Sequence, residues 1–438
     1  MLVVTANWGF ADGTLVAPAF RRGHVRGWRR AVLRAAARAG FRRDGSYRPI
    51  DGLQVVLAGD TLDGLVSAEW TGRLRPWDGG AAAAVARQRV MRAAARQAAP
   101  LLAVLAGWTR GRMLVPAADS RGRPRSDTRA TVSVRVTLLA GDRDAGLEEP
   151  PRAVGGTGLH AGRIWSDGAV LVAHGEAFDP LCHVEDADGA DRDRQGRPPT
   201  LAESVAVDLV ARFGAAVRNI RGADAVRDRL LPAIAGAGPL GIPAALASWR
   251  STPQAVGTPH DVLDAWRRSV EAWSRSADRM PPTCLAAADP CPALAAWYDA
   301  AALATAGDIP GTDALQELLL PIVPNRGAWP AAASPRASPG IVAAVLGHPS
   351  TTRQPAGGDA EVICLGQPPV RRWRPVSVVR RGTAATAACV TANPVSQWPT
   401  SVVLRRDAAG LAWHDLGPGR TEANAVVAPA SDRVVDAA

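Results

Sequence analysis

Apolar residues follow one another in two rhythms along this chain. The opening "MLVVT" is a continuous apolar run, and so is the start of "LQVVLAGDTLDGL", residues 53–65. Short unbroken runs bounded by turn residues fit strands covered on both faces, as in sheets sandwiched by helices. Between them, "RGHVRGWRRAVLRAAARAGFRR" places Val25, Trp28, Val32, Leu33 and Ala36 at helical spacing, with arginines on the other face. Strand, helix and strand in this order predict a βαβ unit with parallel strands.

The alternation continues downstream. Residues 81–108 read as a long Ala/Arg helix with a break expected at Pro100. "TVSVRVTLLAGDRD" is a third apolar strand, and "GRIWSDGAVLVAHGEAFD" predicts a hairpin turning at Ser166, Asp167 and Gly168. The acidic "HVEDADGADRDRQGRPP" has the composition of an exposed loop. Residues 200–325 are mostly helical in pattern, through "LAESVAVDLVARFGAAV", "PHDVLDAWRRSVEAW", "CPALAAWYDAAALA" and "DALQELLLPIV". Residues 330–340 form a Pro/Ala/Ser linker, and "IVAAVLGHPS" is a fifth apolar strand. Short β-type runs follow in "DAEVICLG", "RPVSVVR" and "TSVVLRRD", and the last dozen residues read as a loose tail. No internal repeat is visible.

Composition adds limits. Hydrophobic residues are 47% and charged residues 21%, an ordinary globular balance, and 438 residues suffice for two or three domain-sized units. The net charge is +10, and with no lysine in the sequence all 51 basic residues are arginine. That usage reflects GC-rich codons as much as function. It permits anionic partners such as phosphoesters, but the arginines are scattered among acids, so charge alone gives no strong case for nucleic acid. Cys182, Cys284, Cys291, Cys364 and Cys389 form no CxxC pair. An odd, sparse set fits a reducing cytoplasm rather than a disulfide framework, and a cytoplasmic location is expected. The N-terminal apolar run is too short for a signal peptide, and no run of about 18 apolar residues predicts a membrane span.

The candidate chemistry lies where strands end. Four apolar runs stop at glycine beside a metal-capable residue: "LAGD" at Asp60, "LAGD" at Asp142, "VAHG" at His174 and "VLGH" at His348. Ligands of α/β sheets bind beyond the carboxyl ends of the strands. Asp and His together suit manganese, iron or zinc. Each residue also has a plain structural reading: the aspartates as turn acids or helix caps, the histidines as buried side chains bonded to backbone.

In their order these motifs resemble the calcineurin-like metallophosphoesterases, whose pattern runs DxH, GDxxD, GN(H/R)(D/E), a lone His after a strand, then GHxH. Gly59-Asp60 with Asp63 matches the second motif, and "GDRD" matches the third with Asp142 in place of Asn. The Arg143-Asp144 ending is similar to the variant in UDP-diacylglucosamine hydrolases of lipid A synthesis. His174 matches the fourth motif and His348 half of the fifth. The resemblance implies an α/β sandwich with mixed sheets flanked by helices. Its core would comprise residues 1–200 and 331–438, the latter with C-terminal β segments and the tail. Residues 201–330 would form a helical insertion, at a position where a cap over the site is expected.

The departures are as informative. Where the family has Asp-x-His after the first strand, this chain has Asn7 and Trp8, and Ser350 stands for the last histidine. The resemblance implies two metal sites, and the losses fall on one. The other retains Asp60, Asp142, His174 and His348 as the ligands of a single divalent manganese, iron or zinc ion. Asp12 and His24 are candidate stand-ins near the altered loop, and Trp8 is expected to fill part of the vacated space. Arg143 and Asp144 are the candidate catalytic groups, Arg143 holding a phosphate bidentately or pairing with Asp144. The function implied is metal-dependent hydrolysis of a phosphoester or pyrophosphate in a phosphorylated small molecule. The alternative is an inactive pseudo-phosphoesterase that serves as a binding or scaffolding module. His183, beside Cys182, reads as structural, and Cys284 with Cys291 lack the second pair of a zinc knuckle.

Overall fold

The computed structural model describes residues 1–17, 20–42, 44–144, 159–167, 170–176, 182, 199–250, 252–255 and 259–277, with the strand segments 362–365, 376–380, 383–389, 401–407, 410–415 and 424–427. Strand β1 (Leu2–Thr5), helix α1 (Arg22–Ala39) and strand β2 (Gly52–Ala58) form the predicted βαβ unit, with β1 and β2 parallel. After β2 come α2 (Ala81–Gln97) and α3 (Ala99–Gly107). The Ala/Arg helix breaks at Ala98, and Pro100 sits in the first turn of α3, where its missing N–H costs no helical bond. Strands β3 (Leu114–Ala118) and β4 (Pro124–Thr131) make an antiparallel ribbon that the apolar pattern did not reveal, because β4 is polar and almost wholly exposed.

Strand β5 (Ser133–Leu139) runs parallel to β2, and β6 (Leu159–Gly162) runs parallel to β5. The chain bends at Arg163 and enters a second sheet as the hairpin β7 (Ile164–Ser166) and β8 (Val170–Ala173). Strands β9 (Val362–Leu365), β10 (Val376–Arg380) and β11 (Thr383–Cys389) complete that sheet in the order β10-β11-β9-β8-β7. Strands β12 (Ser401–Asp407), β13 (Gly410–Asp415) and β14 (Asn424–Val427) extend the first sheet in the order β14-β13-β12-β1-β2-β5-β6. The fold is mixed α/β, with a central sheet that is parallel over β1, β2, β5 and β6, antiparallel at β12, β13 and β14, and flanked by helices.

The continuous apolar runs are explained by what covers them. Val3, Leu53, Val55, Leu57, Val136 and Leu138 form one buried cluster with Val25, Trp28 and Val32 of α1 and Leu101 and Leu105 of α3. The alternate residues Val4, Val56 and Ala58 are fully buried too, and β2 and β5 touch β8 and β7 of the second sheet. With both faces covered, no strand position favours a polar residue. Burying each large side chain contributes roughly 1.5–3 kcal/mol.

Helical pattern after residue 200 also holds among the described residues. Helix α4 (Leu201–Ser204) starts with a capping box, in which Thr200 Oγ1 accepts from Glu203 N and Glu203 Oε2 accepts from Thr200 N. It continues through a π-helical stretch, Val205–Ala211, into α5 (Arg212–Arg218). Helices α6 (Leu231–Arg250) and α7 (His260–Ala277) follow. Their core takes in Val16 and Val66, so this helical region packs on the loops that follow β1 and β2. The remaining predicted helices, the linker, the fifth apolar strand and the tail lie outside the described residues, as do His183, Cys284, Cys291, His348 and Ser350.

Candidate metal centre

Asp60 lies two residues past β2, Asp142 three past β5, and His174 directly past β8. Because β2 and β5 are parallel with Ala58 level with Leu139, their acidic loops emerge at the same end of the sheet. His174 arrives from the second sheet, and its Nδ1 lies 2.9 Å from the Ala58 carbonyl. A carbonyl only accepts, so Nδ1 carries a proton and Nε2 is turned towards the carboxylates. Nε2 is 3.0 Å from Asp142 Oδ1 and 3.3 Å from Asp60 Oδ2. One ligand atom from each of Asp60, Asp142 and His174 can be chosen so that all lie within 4.8 Å of one another. These three predicted ligands meet; the fourth, His348, lies outside the described residues.

Glycines make the convergence possible. Gly59 has φ +86°, and a Cβ there would run into the His174 ring. A Cβ on Gly141 would strike Asp60 Oδ1 and lie 2.8 Å from Asp60 N and from His174 Cδ2. Asp60 itself adopts φ +49°. For a residue with a Cβ that left-handed conformation costs about 1–2 kcal/mol, although aspartate enters it more readily than most.

Around the three residues runs a buried charged network. Arg143 Nη1 is 2.6 Å from Asp63 Oδ2 and its Nε is 3.9 Å from Asp60 Oδ2, while its backbone N donates to Asp60 Oδ1 at 3.0 Å. Asp63 Oδ1 accepts from Leu65 N and Val66 N. Asp144 is fully buried, its oxygens accepting from Gly141 N at 2.6 Å and Leu62 N at 3.1 Å. It therefore ties the two acidic loops together, and the expected Arg143–Asp144 pairing gives way to Arg143–Asp63. The importance of Asp63 was visible in its spacing from Asp60, but its partner was not.

Electrostatics follow from burial. Burial raises the Asp60 carboxyl, the Asp142 charge raises it further, and His174 and Arg143 pull it back down. Burial acts on Asp142 in the same sense, but the His174 hydrogen bond and charge, with Arg143, outweigh it and hold it at about 2. Asp144 is pushed up to about 7, by burial first and the Asp60 charge second, against its two backbone donors. Burial acts to lower His174, yet Asp60, the bonds to Asp142 and Asp60, and the Glu176 charge raise it well above the usual imidazole range. Arg143 is likewise raised: burial is outweighed by Asp63, Asp60 and Asp142. The four carboxyl groups of Asp60, Asp63, Asp142 and Asp144 thus face two cationic side chains, Arg143 and His174, where water is largely excluded.

Buried charge of one sign demands compensation. A proton on His174 Nε2 supplies part of it. A divalent cation in that proton's place would supply more, and the donor set suits one: ligand atoms about 2.0–2.2 Å from an ion lie roughly 3–4 Å from each other. A ligating histidine also commonly donates its other ring N–H to a carbonyl, as His174 does to Ala58.

Comparisons with protein-family models, curated proteins and solved structures give no match to this chain.

The other sequence candidates occupy structural places. Asp12 accepts from Thr14 N and Oγ1 and from Ser67 Oγ, closing a turn. His24 Nδ1 accepts from Arg21 N at the start of α1. Trp8 does not fill space at the site: it stacks on Phe10 and meets Phe20 and Trp28 edge-on in the helix-side core. The loop that follows β1 nevertheless lies along the acidic loop. Asn7 N donates to Gly59 O, Gly9 N to Asp60 O and Phe10 N to Thr61 O.

Proposed function

We propose that the chain is a metallophosphoesterase-like protein, a metal-dependent hydrolase of a phosphoester or pyrophosphate in a phosphorylated small molecule. It would work with a single manganese, iron or zinc ion held by Asp60, Asp142 and His174, with His348 as the fourth ligand. One observation carries this reading: His174 is fixed by Ala58 so that Nε2 faces two buried carboxylates at strand ends. When bound, such an ion supplies Lewis acidity towards a phosphoryl oxygen and acidifies water. Arg143, braced by Asp63, would present a fixed positive charge to the negative charge that develops on phosphoryl oxygens. Asp144 would act as a positioning residue, because both its oxygens are taken by backbone N–H groups of the two acidic loops.

The second reading is a pseudo-phosphoesterase that keeps the fold as a binding or scaffolding module. It is favoured by the loop after β1, which brings Asn7 alongside Gly59 but sends Trp8 into the core. The experiment that separates the two is release of p-nitrophenol from its mono- and diesters across a panel of divalent metals. Metal-stimulated hydrolysis that His174→Ala abolishes is the result expected. Equal background from both proteins under every metal contradicts the hydrolase and favours the second reading.

A further inference from the structure

Far from the acidic loops in sequence, α5 and α7 flank a half-open recess of about 430 Å³ lined by Arg212, Ala216, Arg268, Ser269, Glu271 and Arg275 among others. On α7, residues 265, 268, 269, 272 and 275 fall on one helical stripe. The small side chains Ala216, Ala265, Ser269 and Ala272 leave the floor open, and the arginines stand around it. Some arginines of this region have acidic neighbours. Arg227 pairs with Asp224, Arg267 with Asp264 at 3.6 Å, and Arg75 with Asp208 at 2.9 Å. Arg212 also pairs loosely with Asp208, its Nε donating to that residue's carbonyl at 3.2 Å and its Nη2 lying 4.0 Å from a carboxylate oxygen. Among the described residues, Arg268 and Arg275 have no ion-pair partner. Glu271 is the one acid of the cavity lining.

Unpaired guanidinium groups around a recess match planar or tetrahedral oxyanions, which they bind bidentately. Residues 268 and 275 are two turns apart, about 10 Å along the helix axis, and Arg212 faces them from α5. Positive charge spread in this way suits a ligand with several linked anionic groups better than a lone phosphate. We propose that this groove is a binding site for a small oligophosphate, such as the phosphate chain of a nucleotide or free pyrophosphate. The cavity has the size of a small-molecule site, and the site needs neither a metal nor the acidic loops.

Titration calorimetry on the full chain in chelator-treated, low-salt buffer tests this, with pyrophosphate as the first probe and a nucleoside diphosphate as the second. Pyrophosphate should bind the wild-type protein, and the Arg268→Ala/Arg275→Ala variant should bind about tenfold more weakly or worse, as expected for lost charge-assisted hydrogen bonds. Both residues are exposed, so the variant keeps its core. Glu271→Gln should bind more tightly, and the chelator keeps the acidic loops free of metal, which separates the groove from the candidate metal centre. Tighter binding of the nucleoside diphosphate assigns the groove to nucleotides, and equal binding assigns it to the phosphate chain alone. No binding, or equal binding in the double-arginine variant, overturns the proposal.

Discussion

At the residue scale, the convergence of Asp60, Asp142 and His174 depends on two glycines as much as on the three residues themselves. The loops after β2 and β5 approach so closely that a methyl group on Gly141 has nowhere to go: rigid Asp60 backbone stands on one side and the His174 ring on the other. Gly141→Ala should therefore destabilise the protein by about 1–3 kcal/mol, the range for overpacking, and should reduce retained metal. Gly23→Ala is the control, because a Cβ there meets nothing within 4 Å in α1. It should be neutral or stabilising by up to about 1 kcal/mol. Urea unfolding with parallel metal analysis measures both. Asp60, Asp142 and His174 could be picked out in the sequence because each follows an apolar run and sits beside a glycine. The role of Asp144 could not, since its partners are backbone groups 82 residues away at Leu62 and nearby at Gly141.

At the element scale, the loop that carries Asp63 is held by the helical region. Arg75 donates to the carbonyls of Trp70, Gly72 and Leu74 and pairs with Asp208 in the π-helical stretch before α5. Asp208 is 3% exposed, and Ser276 of α7 donates to its other oxygen at 3.4 Å. Removing Arg75 leaves buried Asp208 with only the more distant Arg212, 4.0 Å away, and removing Asp208 leaves Arg75 without its carboxylate. Arg75→Ala or Asp208→Ala should each cost about 1–3 kcal/mol, and the double variant should lose less than the sum of the two. A double-mutant cycle by denaturant unfolding checks this, and strict additivity would show that the pair is not coupled. Element type was legible wherever the apolar period was strong, as in α1, β2, β5 and α7. Within the stretch read as mostly helical, α6 gave no distinct period of its own, since it runs through Pro239 and Pro243. There Ile234, Ile242, Leu246 and Trp249 are buried in the helical core, and packing overrides local propensity. Nor was the polar ribbon strand β4 legible, since it buries too little to carry a pattern.

At the scale of the whole molecule, the central sheet sets Asp60 beside Asp142, and the second sheet delivers His174, more than a hundred positions from Asp60 along the chain. The parallel direction of β1 and β2 follows from the strand–helix–strand order and was readable from sequence; the registers that level Asp60 with the loop of Asp142 depend on pairing between distant strands and were not. Among the described residues no helix is long and apolar enough to cross a membrane. The central claim is that Asp60, Asp142 and His174 form one cation site. Anomalous scattering from crystals grown with manganese tests it most directly. The predicted result is a single anomalous peak about 2.0–2.3 Å from His174 Nε2 and from a carboxylate oxygen of Asp60 and of Asp142. A map without a peak there, with His174 still bonded to both carboxylates, would contradict it.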